Sequence, residues 1–282
     1  MKCEWQAYLN ILPLWLRHEV DRIGKNNLQE LRLRIGKPVE MVLQHGVFKT
    51  DRFIAFSDIS YVINSASSYS PWAAATISKG FLTAEGGHRI GICGMCTVSD
   101  GLMTGIQHPN SLCVRVSRDY YGISGELSKL DDSLLIIGPP GSGKTTLLRD
   151  LVRKISEKVC TSISVIDERE EIFPLCLGQV CFETGDRTDI LSGCSKNDGI
   201  NAVLRSMNPE WIAVDEITAY EDSKALLHAG WCGVKLIATA HANTINDLLN
   251  RPIYRELITS KLFSNVVIMK KDKSWKVERI CI

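Results

Sequence analysis

The sequence predicts an α/β protein: a mainly parallel sheet with helices on both faces and a C-terminal β-hairpin, preceded by a smaller mixed α/β domain. Three observations carry this. From Asp131 onward, short apolar runs are separated by helical stretches, the pattern of strands joined by crossovers in a parallel sheet. The runs Leu134–Ile137, Ser162–Asp167, Trp211–Asp215 and Lys235–Thr239 are nearly all apolar, as expected of strands covered on both faces. Before Asp119 the runs instead alternate apolar with polar residues, the mark of half-buried strands.

Taken in order, Trp5 to Ile23 carries Trp5, Leu9, Leu12, Trp15, Leu16 and Val20 at near-helical spacing, with Pro13 interrupting or starting a helix. Core packing is the plain use of that face, and docking on a membrane or a membrane partner is the alternative. Leu28 to Gly36 is a strand in which Leu31, Leu33 and Ile35 alternate with Arg32 and Arg34, ended by Gly36-Lys37-Pro38. Val39–Leu43 predicts a strand and Asp58–Ser67 a helix; 86–92 and 112–116 predict two more strands. Residues 119–130, polar and bearing Tyr and Gly, are the expected linker between domains at 1–118 and 131–282. The chain ends with Asn265–Lys270, a polar turn, and Trp275–Ile282, an antiparallel hairpin.

Lys plus Arg number 33 and Asp plus Glu 32, a formal net charge of +1, which gives no support for broad electrostatic capture of nucleic acid. The ten cysteines are scattered and no signal-peptide pattern appears, so a reduced cytoplasmic compartment is expected. Cys93 and Cys96 have zinc-ligand spacing without a second matching pair, and packing in a strand is their expected use. No apolar run approaches the roughly 18 residues of a membrane-spanning helix.

Gly138-Pro139-Pro140-Gly141-Ser142-Gly143-Lys144-Thr145 matches the phosphate-binding P-loop at every defined position. An apolar strand leads into it and the amphipathic stretch Leu147–Lys158 follows, so a helix N-terminus should face a phosphate chain. Lys144 is expected to reach the β- and γ-phosphates, Thr145 to place its hydroxyl on Mg²⁺, and Thr146 to line the site from the first helical turn. Hydrolysis needs more: a carboxylate for the metal and a group to orient water. Trp211–Val214 ends in Asp215, expected on Mg²⁺, and Glu216, expected as general base. Strand ends emerge on the ligand side of a parallel sheet. Asp167 and Glu168 end another strand; they belong either to the site or to a solvated helix start. His241, flanked by small residues after a buried strand, suits a sensor of the γ-phosphate. Among the arginines, Arg89, Arg115, Arg187 and Arg205 are candidates to neutralise transition-state charge, and spacing does not choose between them.

The P-loop, the acidic box Asp167–Glu171, the acid pair Asp215–Glu216 and the His box Thr239–Thr244 together resemble the RecA-like ATPases of type II and type IV secretion and pilus machines. A sporulation branch of that family is resembled more closely, through 31–38, 87–91, 185–191, 205–209 and Cys232–Lys235. The resemblance implies a RecA-like core using ATP and Mg²⁺, and a hexameric ring whose N-terminal basic residues complete the site, favouring Arg89 and Arg115. It also implies a cytoplasmic protein of the mother cell, peripherally attached to membrane-embedded channel proteins and working during endospore formation; the near-neutral charge and the lack of an obvious Lys/Arg stripe argue against a nucleic-acid partner. Two departures stand out: motors of this kind often carry Gly where Asp215 stands, and many have a four-Cys zinc module that has no counterpart here. A RecA-like ATPase acting on nucleic acid and a nucleotide-gated scaffold with little turnover are the alternatives.

Overall fold

The computed structural model describes residues 1–68, 80–158 and 161–280. They form two compact units, Met1–Asp119 with Pro174–Phe182, and Tyr120–Phe173 with Glu183–Ile282.

In the first unit, helices α1 (Trp5–Asn10) and α2 (Leu14–Ile23) are separated by Pro13, which caps α2. Their apolar face is spent in the core: Leu9, Leu12, Leu16 and Val20 are buried, and the Tyr8 hydroxyl donates to the Val114 carbonyl at 3.1 Å. Strands β1 (Leu28–Arg34), β2 (Pro38–Leu43), β3 (Gly46–Phe53), β4 (Phe81–Ala84), β5 (His88–Ser99) and β6 (Leu102–Arg115) form an antiparallel sheet in the order β3-β2-β1-β6-β5-β4. Helix α3 (Phe56–Ser67) packs Ile59 and Val62 into the same core as Leu31, Leu33 and Met41.

Several sequence expectations need correction. Ile35 is not a third inward residue of β1; it is 40% exposed, because the strand ends at Arg34 and Gly36 turns the chain at φ 70°. Gly86 and Gly87 are not strand but a tight turn at φ 75° and 77°, and β5 starts at His88. Cys93 and Cys96 are exposed rather than packed, since the outer half of β5 extends past the core. The exposed strand β3 lacks the alternation that makes a strand legible.

His88 is buried at the start of β5 with both ring nitrogens used. Its Nε2 lies 2.9 Å from the Glu4 carbonyl, and its Nδ1 accepts the Ser117 N–H at 3.1 Å. That pattern requires the neutral ring, and burial lowers its pKa from 6.5 to about 4. The unfolded chain therefore takes up a proton near pH 6.5 that the native state refuses until about pH 4. Stability from this group is complete above pH 6.5 and falls as pH drops toward 4, by on the order of 3 kcal/mol. Urea midpoints at pH 7.5 and 4.5 should fall more in wild type than in His88→Asn, which keeps one donor and one acceptor. Equal falls would refute this.

In the second unit, strands β7 (Leu134–Ile137), β8 (Ile163–Asp167), β11 (Thr188–Ser192), β12 (Trp211–Val214), β13 (Lys235–Ala240), β14 (Asn265–Met269) and β15 (Trp275–Arg279) form one sheet, order β11-β8-β12-β13-β7-β14-β15. The first unit's small hairpin supplies β9 (Leu175–Cys176) and β10 (Gln179–Val180). All pairs of the second sheet are parallel except β14 with β15. Cys281 and Ile282, expected in the final strand, lie outside the described residues. Helix α4 (Lys144–Ser156) packs against β7, β8 and β13 with Leu147, Leu148 and Leu151 buried. Helices α5 (Lys196–Ser206), α6 (Tyr220–Trp231), α7 (Ile245–Leu249) and α8 (Pro252–Thr259) share a separate core with the alternate strand residues Leu135, Ile166, Ile212 and Leu236. The intervening strand residues Leu134, Ile136, Val165 and Ile237 are buried outside that core, as expected of a sheet with helices on both faces.

The segment expected as a linker, 119–130, spans the boundary between the two units at Asp119, and its first residues are fastened to α4. The buried Asp150 carboxylate accepts the N–H groups of Gly122 at 2.9 Å and Ser124 at 2.8 Å. Arg153 donates to the Tyr120 carbonyl and lies 4.4 Å from the centroid of the Tyr121 ring.

Candidate nucleotide site

The P-loop joins β7 to α4, and its shape is set by glycine. Gly141 and Gly143 take φ of 72° and 97°. A Cβ on Gly138 would lie 2.7 Å from Ser142 Oγ and 2.8 Å from the Met269 carbonyl, so only glycine fits. Pro139 and Pro140 stiffen the first bend, and Thr146 sits half-buried in the first turn of α4. Ser142 Oγ is buried and has no hydrogen-bond partner among the described residues.

Lys144 is folded back onto its own loop. Its ammonium donates to the carbonyls of Gly138 at 3.0 Å and Pro139 at 3.2 Å, and to His241 Nδ1 at 2.9 Å. Because the lysine donates, His241 carries its proton on Nε2, which lies 3.1 Å from Glu216 Oε1. Burial lowers the Lys144 pKa, while the negative charges of Asp215 and Glu216 act to raise it.

Asp215, at the end of β12, accepts the Thr145 hydroxyl at 2.8 Å and the Thr239 hydroxyl at 2.6 Å. Glu216 sits at φ 20°, outside the usual basins of a residue with a side chain. Its N–H is held by Thr239 Oγ1 at 2.9 Å and Asp215 Oδ1 at 3.0 Å. Lys144, Thr145, Asp215, Glu216 and His241 thus form one hydrogen-bonded cluster at the carboxyl ends of β7, β12 and β13. The hydroxyl and carboxylate of Thr145 and Asp215 are hard oxygen donors of the kind Mg²⁺ takes.

In the acidic box, left open between the site and a helix start, each carboxylate has its own partners. Asp167, 1% exposed, accepts the N–H groups of Glu171, Ile172 and Phe173 at 2.8, 3.0 and 2.8 Å. Burial raises its carboxyl pKa against the pull of those bonds, and its role is to shape the loop. Glu168 is turned to Lys196 at 2.5 Å instead of joining the Lys144 cluster. The buried Lys196 ammonium requires a counter-charge, and Asp222 at 3.9 Å is its second one.

Arg89 and Arg115 belong to the first unit, where they stand directly opposite each other on β5 and β6. The Arg89 guanidinium lies 4.0 Å from the centroid of the Phe81 ring, and Arg115 is 3.5 Å from Glu30. Arg205 bonds the Asn201 carbonyl on its own helix. The arginine beside the Glu216 carboxylate is one that spacing did not suggest: Arg169, 3.7 Å away. Its place among four acids, Asp167 to Glu171, was the available signal. Thr239 was also unassigned, although a hydroxyl at the end of a buried strand is a natural ligand for the neighbouring strand's acid.

The family model described as sporulation stage III, protein AA, matches residues 4–280. The stage III sporulation protein AA of Bacillus subtilis (strain 168) is 33% identical over 278 residues, 93% of this chain and 90% of that protein. The fold is similar to that of the pilus retraction motor PilT with bound ADP, with a TM-score of 0.65 at 15% identity over 94% of this chain and 83% of that one. For the ATPase DotB of Legionella pneumophila the TM-score is 0.61 at 17% identity, covering 95% and 80%. The RecA-like fold of the secretion ATPases, expected from the sequence, is therefore borne out, as is its sporulation branch. With its Lys144 cluster on that fold and a family match across nearly its whole length, the chain belongs to the sporulation stage III, protein AA family.

Proposed function

We propose that the chain is a secretion-type motor ATPase that binds ATP with Mg²⁺ and uses its hydrolysis to energise or assemble a membrane channel complex during endospore formation. The observation that carries this is the convergence of Lys144, Thr145, Asp215, Glu216 and His241 from three strand ends. Two structural neighbours, a pilus retraction motor and an ATPase, support it. Assembly as a hexameric ring docked peripherally on its membrane partners, in the mother cell, is part of the same proposal. Among the described residues no helix is long and apolar enough to cross a membrane. Arg89 and Arg115 are assigned as charge-neutralising arginines on the resemblance alone.

Each residue's part follows from its present partner. Lys144 leaves the carbonyls of Gly138 and Pro139 for the stronger attraction of the β- and γ-phosphates. His241 Nδ1 then loses its lysine donor, while Nε2 still holds Glu216, so the ring links the state of the P-loop to the base. Glu216 orients the attacking water and takes up its proton. Thr145 and Asp215 would hold Mg²⁺, which when bound supplies charge neutralisation at the phosphate oxygens.

The direct test is phosphate release by the full chain at saturating ATP. Release should require Mg²⁺ and stop on adding EDTA, and solution mass with and without nucleotide should report ring assembly. Absence of Mg²⁺-dependent release at concentrations where the ring forms would overturn the catalytic reading.

A further inference from the structure

The C-terminal hairpin reaches the P-loop. β14 runs parallel to β7, with Asn265 beside Leu134 and Ile268 beside Ile137, so the two strands end side by side. After β7 comes the P-loop; after β14 comes the turn 270–274. That turn is tightly built: Lys270 N–H donates to the Ser274 carbonyl at 2.9 Å and Lys273 N–H to the Lys270 carbonyl at 3.1 Å. The Asp272 carboxylate accepts both the N–H of Ser274 at 2.9 Å and its hydroxyl at 2.6 Å. Lys273 takes φ 71°, a left-handed conformation uncommon for lysine.

The Lys273 ammonium donates to the Gly141 carbonyl, in the middle of the P-loop. Its stem lies over the loop's second half, with Cδ 3.7 Å from where a Cβ on Gly143 would be. A trans peptide is planar, with its C=O and N–H pointing in opposite directions. A cation that draws the Gly141 carbonyl outward therefore turns the Ser142 N–H inward. That N–H now donates to the Pro139 carbonyl at 3.2 Å, the same oxygen that Lys144 holds at 3.2 Å. It faces the side from which Lys144 acts. Inward N–H groups of successive loop residues are what make an anion-binding nest.

We propose that Lys273 is a positioning residue of the nucleotide site: from outside the P-loop it holds the Gly141–Ser142 peptide in the orientation that presents the Ser142 N–H to a phosphate. The inference rests on the nucleotide-binding reading above. It assigns to the final hairpin a function beyond closing the sheet, which is to preorganise the loop before nucleotide arrives. A preorganised donor that meets the bound phosphate equally in the ground and transition states acts on binding and leaves the chemical step alone.

The test uses the full chain with Lys273→Ala, Lys273→Arg, and Lys271→Ala as a control from the same turn. Without nucleotide, hydrogen exchange in peptides covering 138–145 should rise in Lys273→Ala, return toward wild type in Lys273→Arg and stay unchanged in Lys271→Ala. With Mg-ATP, Lys273→Ala should raise KM about fivefold to tenfold at unchanged kcat, and Arg should restore it. Unchanged loop exchange in Lys273→Ala, or a fall in kcat at unchanged KM, would overturn the assignment. Wild type that binds no nucleotide, with the exchange difference present, would instead overturn the nucleotide reading and leave the Lys273 contact standing.

Discussion

Glu216→Gln should abolish turnover while leaving ATP affinity within about twofold of wild type. The substitution keeps the side-chain length and an oxygen for the His241 Nε2 proton, 3.1 Å away in the native site. It removes only the ability to accept a proton from water. Loss of a general base costs roughly a hundred- to ten-thousand-fold in rate. Single-turnover phosphate release together with equilibrium binding of a fluorescent ATP analogue would read both quantities. Residual hydrolysis equal to wild type would sink the assignment of Glu216. Loss of binding alongside turnover would mean that the carboxylate shapes the loop, through His241 and Lys144, more than it serves the water.

Lys144→Ala should lose nucleotide binding itself, by about a hundredfold or more in Kd. The ammonium is the one P-loop side chain expected to meet the phosphate charge, and each charge-assisted hydrogen bond it would make contributes about 1.5–3 kcal/mol. The variant should fold, since burial already disfavours that charge in the nucleotide-free site and three acceptors are all it leaves behind. Binding titrations on protein with an unchanged thermal transition decide the matter; wild-type affinity for Mg-ATP in Lys144→Ala would remove the P-loop from the reaction. The two variants separate binding from catalysis: one should lose both, the other only the second.

The two sets of side chains also explain why some of the site was legible and some was not. The stretch from Leu134 to Ser156 could be placed nearly residue by residue, because β7, the glycines at positive φ and the start of α4 depend on short-range backbone geometry. The apolar strands β8, β12, β13 and β14 were visible for a similar reason: burial on both faces leaves an unbroken apolar run. Strands exposed along most of their length, such as β3, carry no such signal. β11 was missed because half-burial at a sheet edge dilutes its pattern.

Partner choice escaped the sequence more completely. Asp167 and Glu168 are adjacent, end the same strand and look equivalent on paper. The structure gives the first to three backbone N–H groups and the second to a buried lysine 28 positions away. Arg169, between acids in sequence, is the residue whose guanidinium lies near Glu216. The segment 119–130 has the composition of a linker, yet its backbone is fastened to Asp150 because a buried carboxylate must be satisfied. Composition reports what a segment can do, whereas the nearest unsatisfied charge decides what it does.

A phosphate cradle between a strand and a helix, on a mainly parallel sheet, follows from Gly138–Thr145 and its flanks alone, since glycine sterics and strand burial act over a few residues. That Lys144 would meet His241, 97 positions later, and that a lysine of the final hairpin would grip Gly141, depends on which strands lie side by side. Parallel neighbours bring distant residues to a common edge, and their order in the sheet is set by the packing of the whole unit.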